Sequence, residues 1–218
     1  MTKHNADRRR SAWRPLAFAA VGTATLVAMG TGVWATLSAT ATNTTPEQVT
    51  SGTLKLTMAN NGTGFSQNIT NMAPGDVVNR YVDLTNGGTL DGQALTLQVA
   101  ATGSPQLVTD GTTSKALRVS VMQCTGGTWN AGTGACTGGT ASSVLAATPL
   151  SGLASAVSLL PGSFASGGTT RLQVSVQLPD QAETTVNGVA PAGTIQGQSV
   201  SLTYTFNETQ RNATTTNS

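Results

Sequence analysis

The chain has 218 residues, of which 9% are charged and 4% aromatic, with 25 glycines and a formal net charge of +2. Strong helix formers such as Glu, Lys and Arg are scarce, which argues against a helix bundle and favours β-sheet with many short loops. A hydrophobic fraction of 38% combined with so low a net charge also argues against a disordered chain.

The first 41 residues have the order of a secretory signal. A basic region, 1–14, precedes an uncharged apolar region, 15–37, for which we predict a signal helix. The small residues Ala-Thr-Ala at 39–41 follow, so we predict cleavage between Ala41 and Thr42. An uncleaved anchor is the alternative, because about 20 apolar residues suffice to span a bilayer.

The net charge changes sign when this segment is removed. Residues after 41 carry six basic and eight acidic side chains, which gives a net charge of −2. Only Lys115 and Arg118 lie close together in sequence, whereas nucleic-acid binding needs clustered basic residues. We therefore predict no nucleic-acid partner, and contact with a membrane only through the N-terminal segment.

The rest of the chain reads as an extended segment, 42–52, a β domain, 53–208, and a polar tail, 209–218. Short runs with one apolar row predict strands at 54–58, 65–70, 77–85, 94–102, 117–124, 142–147, 154–160, 172–178 and 200–206. The run 154–160 also fits a helical turn. We predict an antiparallel β-sandwich, in jelly-roll or immunoglobulin-like order, with a long connection at 180–198.

The stretch 71–90 contains a turn, a long strand and a second turn. Pro74 and Gly75 suit the first turn, and Val82 and Leu84 then share the apolar face of the strand. Arg80 is the one charge on that face. We expect it either to pair with a carboxylate or to lie at a sheet edge.

The two cysteines enclose a glycine-rich loop. In an oxidising compartment a Cys124–Cys136 disulfide would contribute roughly 2–3 kcal/mol. A redox or metal pair is the weaker alternative, because the spacing is not C-x-x-C and no histidine lies nearby. Trp129 stands at the loop tip, where an exposed contact residue is one of two alternatives, the other being a core position.

Residues for catalysis are few. The single histidine, His4, precedes the apolar region, which removes histidine-based triads and zinc motifs from the mature chain. The acid pairs Asp83 with Asp91 and Asp180 with Glu183 would suit glycoside hydrolysis or calcium, although solvated loop acids are the favoured interpretation. We predict no enzyme activity, catalytic residue, cofactor or metal.

Four motifs carry a family resemblance. They are GVWA at 32–35, SGTLKL at 51–56, MAPGDVVNRYVDLTNGGTL at 72–90 and the alternating ending at 195–210. In order and spacing the chain resembles the TasA and camelysin family of secreted bacterial proteins, whose signal peptides are processed by the SipW signal peptidase. The ending is similar to that of actinobacterial relatives.

The resemblance implies a jelly-roll sandwich, secretion or display at the cell surface, and a TasA-like subunit of biofilm matrix fibres. In such fibres the segment after the signal is donated as a strand to the next subunit. Here that segment would be residues 37–49, which we call the donor segment; Pro46 limits its pairing to one side. The implied partners are copies of the chain, other matrix or cell-wall components, and the signal peptidase.

Two alternatives stay open. One is a secreted hydrolase of the camelysin type, described as a metallopeptidase, although the chain has no HExxH motif. The other is a monomeric surface adhesin that binds through the Trp129 loop.

Overall fold

The structure is a computed structural model that describes residues 50–65, 67–112 and 114–216. The predicted signal peptide, its apolar region and the cleavage site at Ala41–Thr42 lie outside these residues. Among the described residues, no helix has the length and apolar character needed to cross a membrane.

Ten strands and two short helical elements make up the described chain. The strands are β1 (Leu56–Asn61), β2 (Val77–Asn86), β3 (Gly92–Gly103), β4 (Arg118–Thr125), β5 (Thr128–Trp129), β6 (Cys136–Thr137), β7 (Thr140–Pro149), β8 (Val157–Leu160), β9 (Thr169–Gln177) and β10 (Val200–Gln210). Helix α1 (Pro105–Val108) follows β3, and a 3-10 turn (Leu150–Leu153) follows β7.

The strands form two antiparallel sheets and one small hairpin. The larger sheet has the order β1-β2-β9-β4-β7, the smaller has β10-β3-β8, and β5 pairs with β6. The chain changes sheet between β2 and β3, β3 and β4, β7 and β8, β8 and β9, and β9 and β10. This confirms the predicted all-β sandwich, and the repeated change of sheet is the winding that a jelly-roll has.

The core lies between the two sheets. Alternation places every second side chain of β2, β3, β4 and β9 inside, as the sequence pattern predicts. The fully buried members are Val82, Leu84, Leu95, Leu97, Val99, Val119, Val121, Leu172, Val174, Val176, Leu150 and Leu153. Burial of these aliphatic side chains, at about 25 cal/mol per Å² of apolar surface, is the main favourable term for folding.

Two sequence predictions need correction. The predicted strand 65–70 is wrong, because its described residues form bends and irregular chain between β1 and β2. Phe65, Ile69 and Met72 nevertheless pack against the core. Phe65 and Ile69, four residues apart, would share one face of a strand, whereas Met72, three residues further on, would lie on the other face. The first strand lies two residues later than predicted.

The run 154–160 begins directly after one element and contains the whole of another. The 3-10 turn Leu150–Leu153 comes just before it, and β8 occupies its second half. The last strand, β10, reaches Gln210, two residues into the segment predicted as a polar tail.

The cysteine loop folds back over the outer face of the larger sheet. The Sγ atoms of Cys124 and Cys136 are 1.93 Å apart, which is a disulfide-bonding distance, and β5 and β6 form a hairpin between the two cysteines. The hairpin covers Tyr81, which lies on the outer face of β2 but is only 5% exposed. A second, small core therefore lies on the outside of the sandwich.

The expectation that Trp129 is an exposed contact residue is wrong. Its side chain is 4% exposed and its ring centroid lies 5.8 Å from that of Tyr81. Its Nε1 donates a hydrogen bond of 3.1 Å to the carbonyl oxygen of Arg171, and its own carbonyl accepts one of 2.9 Å from the side chain of Asn61. Trp129 thus attaches the hairpin to β1 and β9.

We predict that Trp129→Ala destabilises the domain by about 3–5 kcal/mol, because it removes a buried aromatic side chain. Urea unfolding of the purified domain measures this free energy. The matched control is Thr128→Ala, an exposed neighbour that should change stability by no more than about 0.5 kcal/mol. Equal, small effects of both substitutions would contradict a structural role for Trp129.

Candidate assembly site

Among the described residues, one long and regular strand edge has no pairing partner. In the described chain, β1, β7, β8 and β10 lie at the edges of the two sheets. The pairings of β7 and β8 contain register shifts, which are a common protection of sheet edges, and β8 has only four residues. By contrast, β10 has 11 residues and keeps its register with β3 from Val200 to Thr209. We call its unpaired side the acceptor edge.

The side chains of β10 alternate strictly. Val200, Leu202, Tyr204 and Phe206 are partly buried on the inner face, whereas Ser201, Thr203, Thr205 and Asn207 are exposed. The strand contains no proline and a single charged residue, Glu208. Its composition is therefore that of a half-buried strand that could accept a neighbour.

The two sheets differ in width at this side of the sandwich. The smaller sheet has three strands and the larger has five. Strand β8 follows β7 after one 3-10 turn, which places β8 at the β7 side and β10 at the β1–β2 side. Met58 of β1 stands opposite Leu84 of β2 and shares its inner face, but Met58 is 53% exposed. The inner face of the larger sheet is therefore incompletely covered at β1.

A cavity of about 760 Å³ adjoins the inner face of β10. Apolar side chains from both sheets and from the irregular connections line much of it, and the polar lining includes Arg80 and Glu183. The main apolar lining residues are Phe65, Leu117, Val176, Leu178, Ile195 and Tyr204. Phe65 stacks on Tyr204 with ring centroids 4.4 Å apart, so the β1–β2 connection forms one wall beside β10.

Arg80 is a cation on the inner face of the sandwich. It lies on β2 opposite Val174 of β9, whereas the pairing of β2 with β1 ends at Tyr81, so the local register leaves Arg80 at an edge on the β1 side, as one of the two expectations states. The other expectation, pairing with a carboxylate, is wrong for the described residues, where none lies within 4.0 Å of it. Its guanidinium donates only long hydrogen bonds, each 3.4 Å, to the carbonyl oxygens of Asn79 and Gln67.

The other charged residue that lines the cavity, Glu183, already has hydrogen-bond partners. The carboxylate of Glu183 accepts hydrogen bonds from Thr194 Oγ1 and from Gln196 Nε2. Burial raises the pKa of the Tyr204 hydroxyl to about 12, although the positive charge of Arg80 acts in the opposite direction. Tyr204 is therefore neutral at physiological pH and leaves the charge of Arg80 uncompensated.

Glu208 is a second inward-facing charge, at the far end of β10. It stands opposite Leu95, and both of its carboxylate oxygens are shielded without a hydrogen-bond partner among the described residues. Gly92 makes room for this carboxylate, since a side chain at that position would collide with it. Desolvation raises the pKa of Glu208. Inward charges of this kind discourage uncontrolled pairing at a sheet edge.

The acid pairs considered for catalysis are not brought together. Asp83 lies 3.6 Å from the guanidinium of Arg171, whereas Asp91 accepts a hydrogen bond from the backbone of Ser166. Asp180 is exposed, and Glu183 is held in the cavity wall. The structure therefore gives each of these carboxylates a separate local contact or exposure to solvent.

A comparison with protein-family models finds a match for the first half of the chain. The model described as camelysin metallo-endopeptidase matches residues 14–124, about half of the chain. Curated proteins give no match.

That description implies a catalytic metal. Catalytic zinc is held by three protein ligands, most often histidines with a carboxylate. The described residues contain no histidine, and no three of their Cys, Asp and Glu side chains are placed to hold a metal ion. The donor groups of this part of the chain therefore do not fit a zinc peptidase centre.

We predict that Glu208→Gln stabilises the domain at neutral pH. The pKa of Glu208 is raised in the folded state, so its protonated form favours folding and that contribution is lost as the pH rises through the folded-state pKa. Unfolding free energies of the two proteins should converge below about pH 4 and diverge above it. Asp180→Asn, an exposed control, should show no such divergence.

Proposed function

We propose that this chain, which belongs to the camelysin family, is an exported structural protein that assembles into cell-surface or extracellular matrix fibres. Each subunit would donate its donor segment, residues 37–49, to the acceptor edge of the next. The observation that carries this proposal is the long, regular and unpaired edge of β10 beside an incompletely covered inner face. Strand addition of this kind uses main-chain hydrogen bonds for affinity and side-chain pockets for specificity.

The donor segment has a suitable length and composition. With cleavage after Ala41, its residues 42–49 remain at the N-terminus of the mature chain. Eight extended residues span about 26 Å, which is shorter than the 11-residue β10. Threonine is the commonest residue in this part and Glu47 is its only charge, so it suits an added strand better than a free solvated tail.

Export is part of the same proposal. The order of basic, apolar and small residues in 1–41 supports a secretory signal, and the family resemblance implies that a SipW-type signal peptidase would process it. The Cys124–Cys136 pair at disulfide-bonding distance suits an oxidising compartment. The expected partners are further copies of the chain, with other matrix or cell-wall components as secondary ones.

We predict that the mature protein forms fibres and that the form lacking residues 42–49 stays monomeric. The mature N-terminus is first determined by mass spectrometry, and assembly is then followed by sedimentation and electron microscopy across concentration and pH. Deletion of the tail residues 212–218, which lie beyond β10, is the matched control and should leave assembly intact. Equal behaviour of the full and N-terminally truncated proteins would refute strand donation.

A metallo-endopeptidase is the second candidate, and the family description is the observation that favours it. Its test is casein cleavage by the purified mature protein with and without a chelator. Because the described donor groups do not fit a zinc centre, we expect no cleavage above a buffer control. Cleavage that the chelator abolishes and added zinc restores would replace the structural proposal with the enzymatic one.

The adhesin alternative loses its predicted contact residue. Trp129 is buried against Tyr81, so an adhesive surface centred on that side chain has no structural support.

A further inference from the structure

We propose that Glu47 of one subunit forms an ion pair with Arg80 of the next, and that this pair fixes the register of the donated strand. This inference rests on the proposed strand donation and names the contact that would make it specific. The occupant of the cavity beside β10 is then the donor segment of a second copy of this chain.

On the acceptor side, Arg80 has no carboxylate partner among the described residues. Arg80 projects from the apolar face of β2 into the cavity, and its described contacts are two long hydrogen bonds to carbonyl oxygens. A guanidinium in a partly closed site gains most from a carboxylate, because charge-assisted hydrogen bonds are roughly twice as strong as neutral ones. The cavity is thus suited to an occupant that carries a carboxylate.

The donor segment carries one charged side chain, the carboxylate of Glu47. With cleavage after Ala41, residues 42–49 of the donor segment remain. In an extended chain their odd-numbered members, Asn43, Thr45, Glu47 and Val49, share one face. Glu47 thus lies on the face that holds Val49, the one aliphatic residue of this part, as Arg80 lies on the apolar face of β2. When that face turns towards the sandwich, the single carboxylate of the segment enters the side that contains Arg80.

Pro46 agrees with this orientation. Backbone groups of successive strand residues point to opposite sides, so pairing to β10 through the odd-numbered residues leaves position 46 facing away. The missing N–H of proline then costs no hydrogen bond, as on an edge strand. A donor paired through its even-numbered residues would lose one.

The pair would act on register more than on total affinity. A threonine-rich strand can slide by two residues along β10 and still present the same face. Each such slip would move Glu47 by about 6.6 Å and leave two charges unpaired in a partly buried site. One aligned carboxylate therefore selects one register among several of similar backbone pairing.

Charge reversal tests the pairing directly. Glu47→Arg and Arg80→Glu should each raise the concentration needed for assembly at least about 10-fold, because each places two like charges together. The double variant should regain assembly. An equimolar mixture of the two single variants should also assemble, since each donor then meets a complementary acceptor on the other variant.

Two controls separate pairing from general charge effects. Arg211→Glu makes the same change at an exposed position and should assemble like the wild type. The variant E47Q/Q48E keeps the composition but moves the carboxylate to the opposite face, and it should be impaired. Arg80→Gln, together with circular dichroism of every variant, shows whether a loss of assembly reflects misfolding.

Each remaining outcome overturns a defined statement. If the wild type assembles and the folded single variants assemble equally well, the ion pair is wrong while strand donation stands. If the double variant recovers but the mixture does not, the pair forms within one chain and the contact between subunits is wrong. If the wild type itself stays monomeric, the proposed strand donation is wrong, and the ion pair between subunits is wrong with it.

Discussion

The antiparallel pairing of β2 with β9 is the constraint on which the rest of the sandwich depends. Nine consecutive residue pairs join these strands, from Val77 with Gln177 to Thr85 with Thr169. Their inner side chains form the centre of the main core. On the outer face, Tyr81 of β2 packs against Trp129 of the hairpin. A one-residue slip would reverse both faces at once, so the two apolar clusters select the same register.

Local periodicity was enough to predict the central strands, because each buries one apolar row. The irregular connection between β1 and β2 has strand-like periodicity, because Phe65 and Ile69 are an even number of residues apart, but both pack against the core from irregular chain. Sheet order could not be derived, because it depends on contacts between distant strands. Trp129 was misplaced for a related reason: the loop pattern shows a turn, but does not show that the turn folds back onto β2 and β9.

The candidate site was only partly visible in the sequence. Arg80 is recognisable as a charge on an apolar face, and its position beyond the last β1 pair agrees with one of the two expectations. The cavity around it could not be derived from the sequence, because segments far apart in the chain form it. The acceptor edge could not be recognised in the sequence, because it is defined by the order of the strands in the smaller sheet. Glu208 gave little signal, since a carboxylate near a strand end looks solvated until its orientation is known.

The unpaired edge of β10 bears on the symmetry of the proposed assembly. A contact between an N-terminal segment and a different surface of the next copy is heterologous, and it closes into a ring only if the rotation between copies allows it. Under the proposed strand donation, a chain of such contacts would have polarity: one end would keep an unfilled strand edge and the other an unused segment. Any factor that begins, caps or attaches such a polymer would therefore distinguish its two ends.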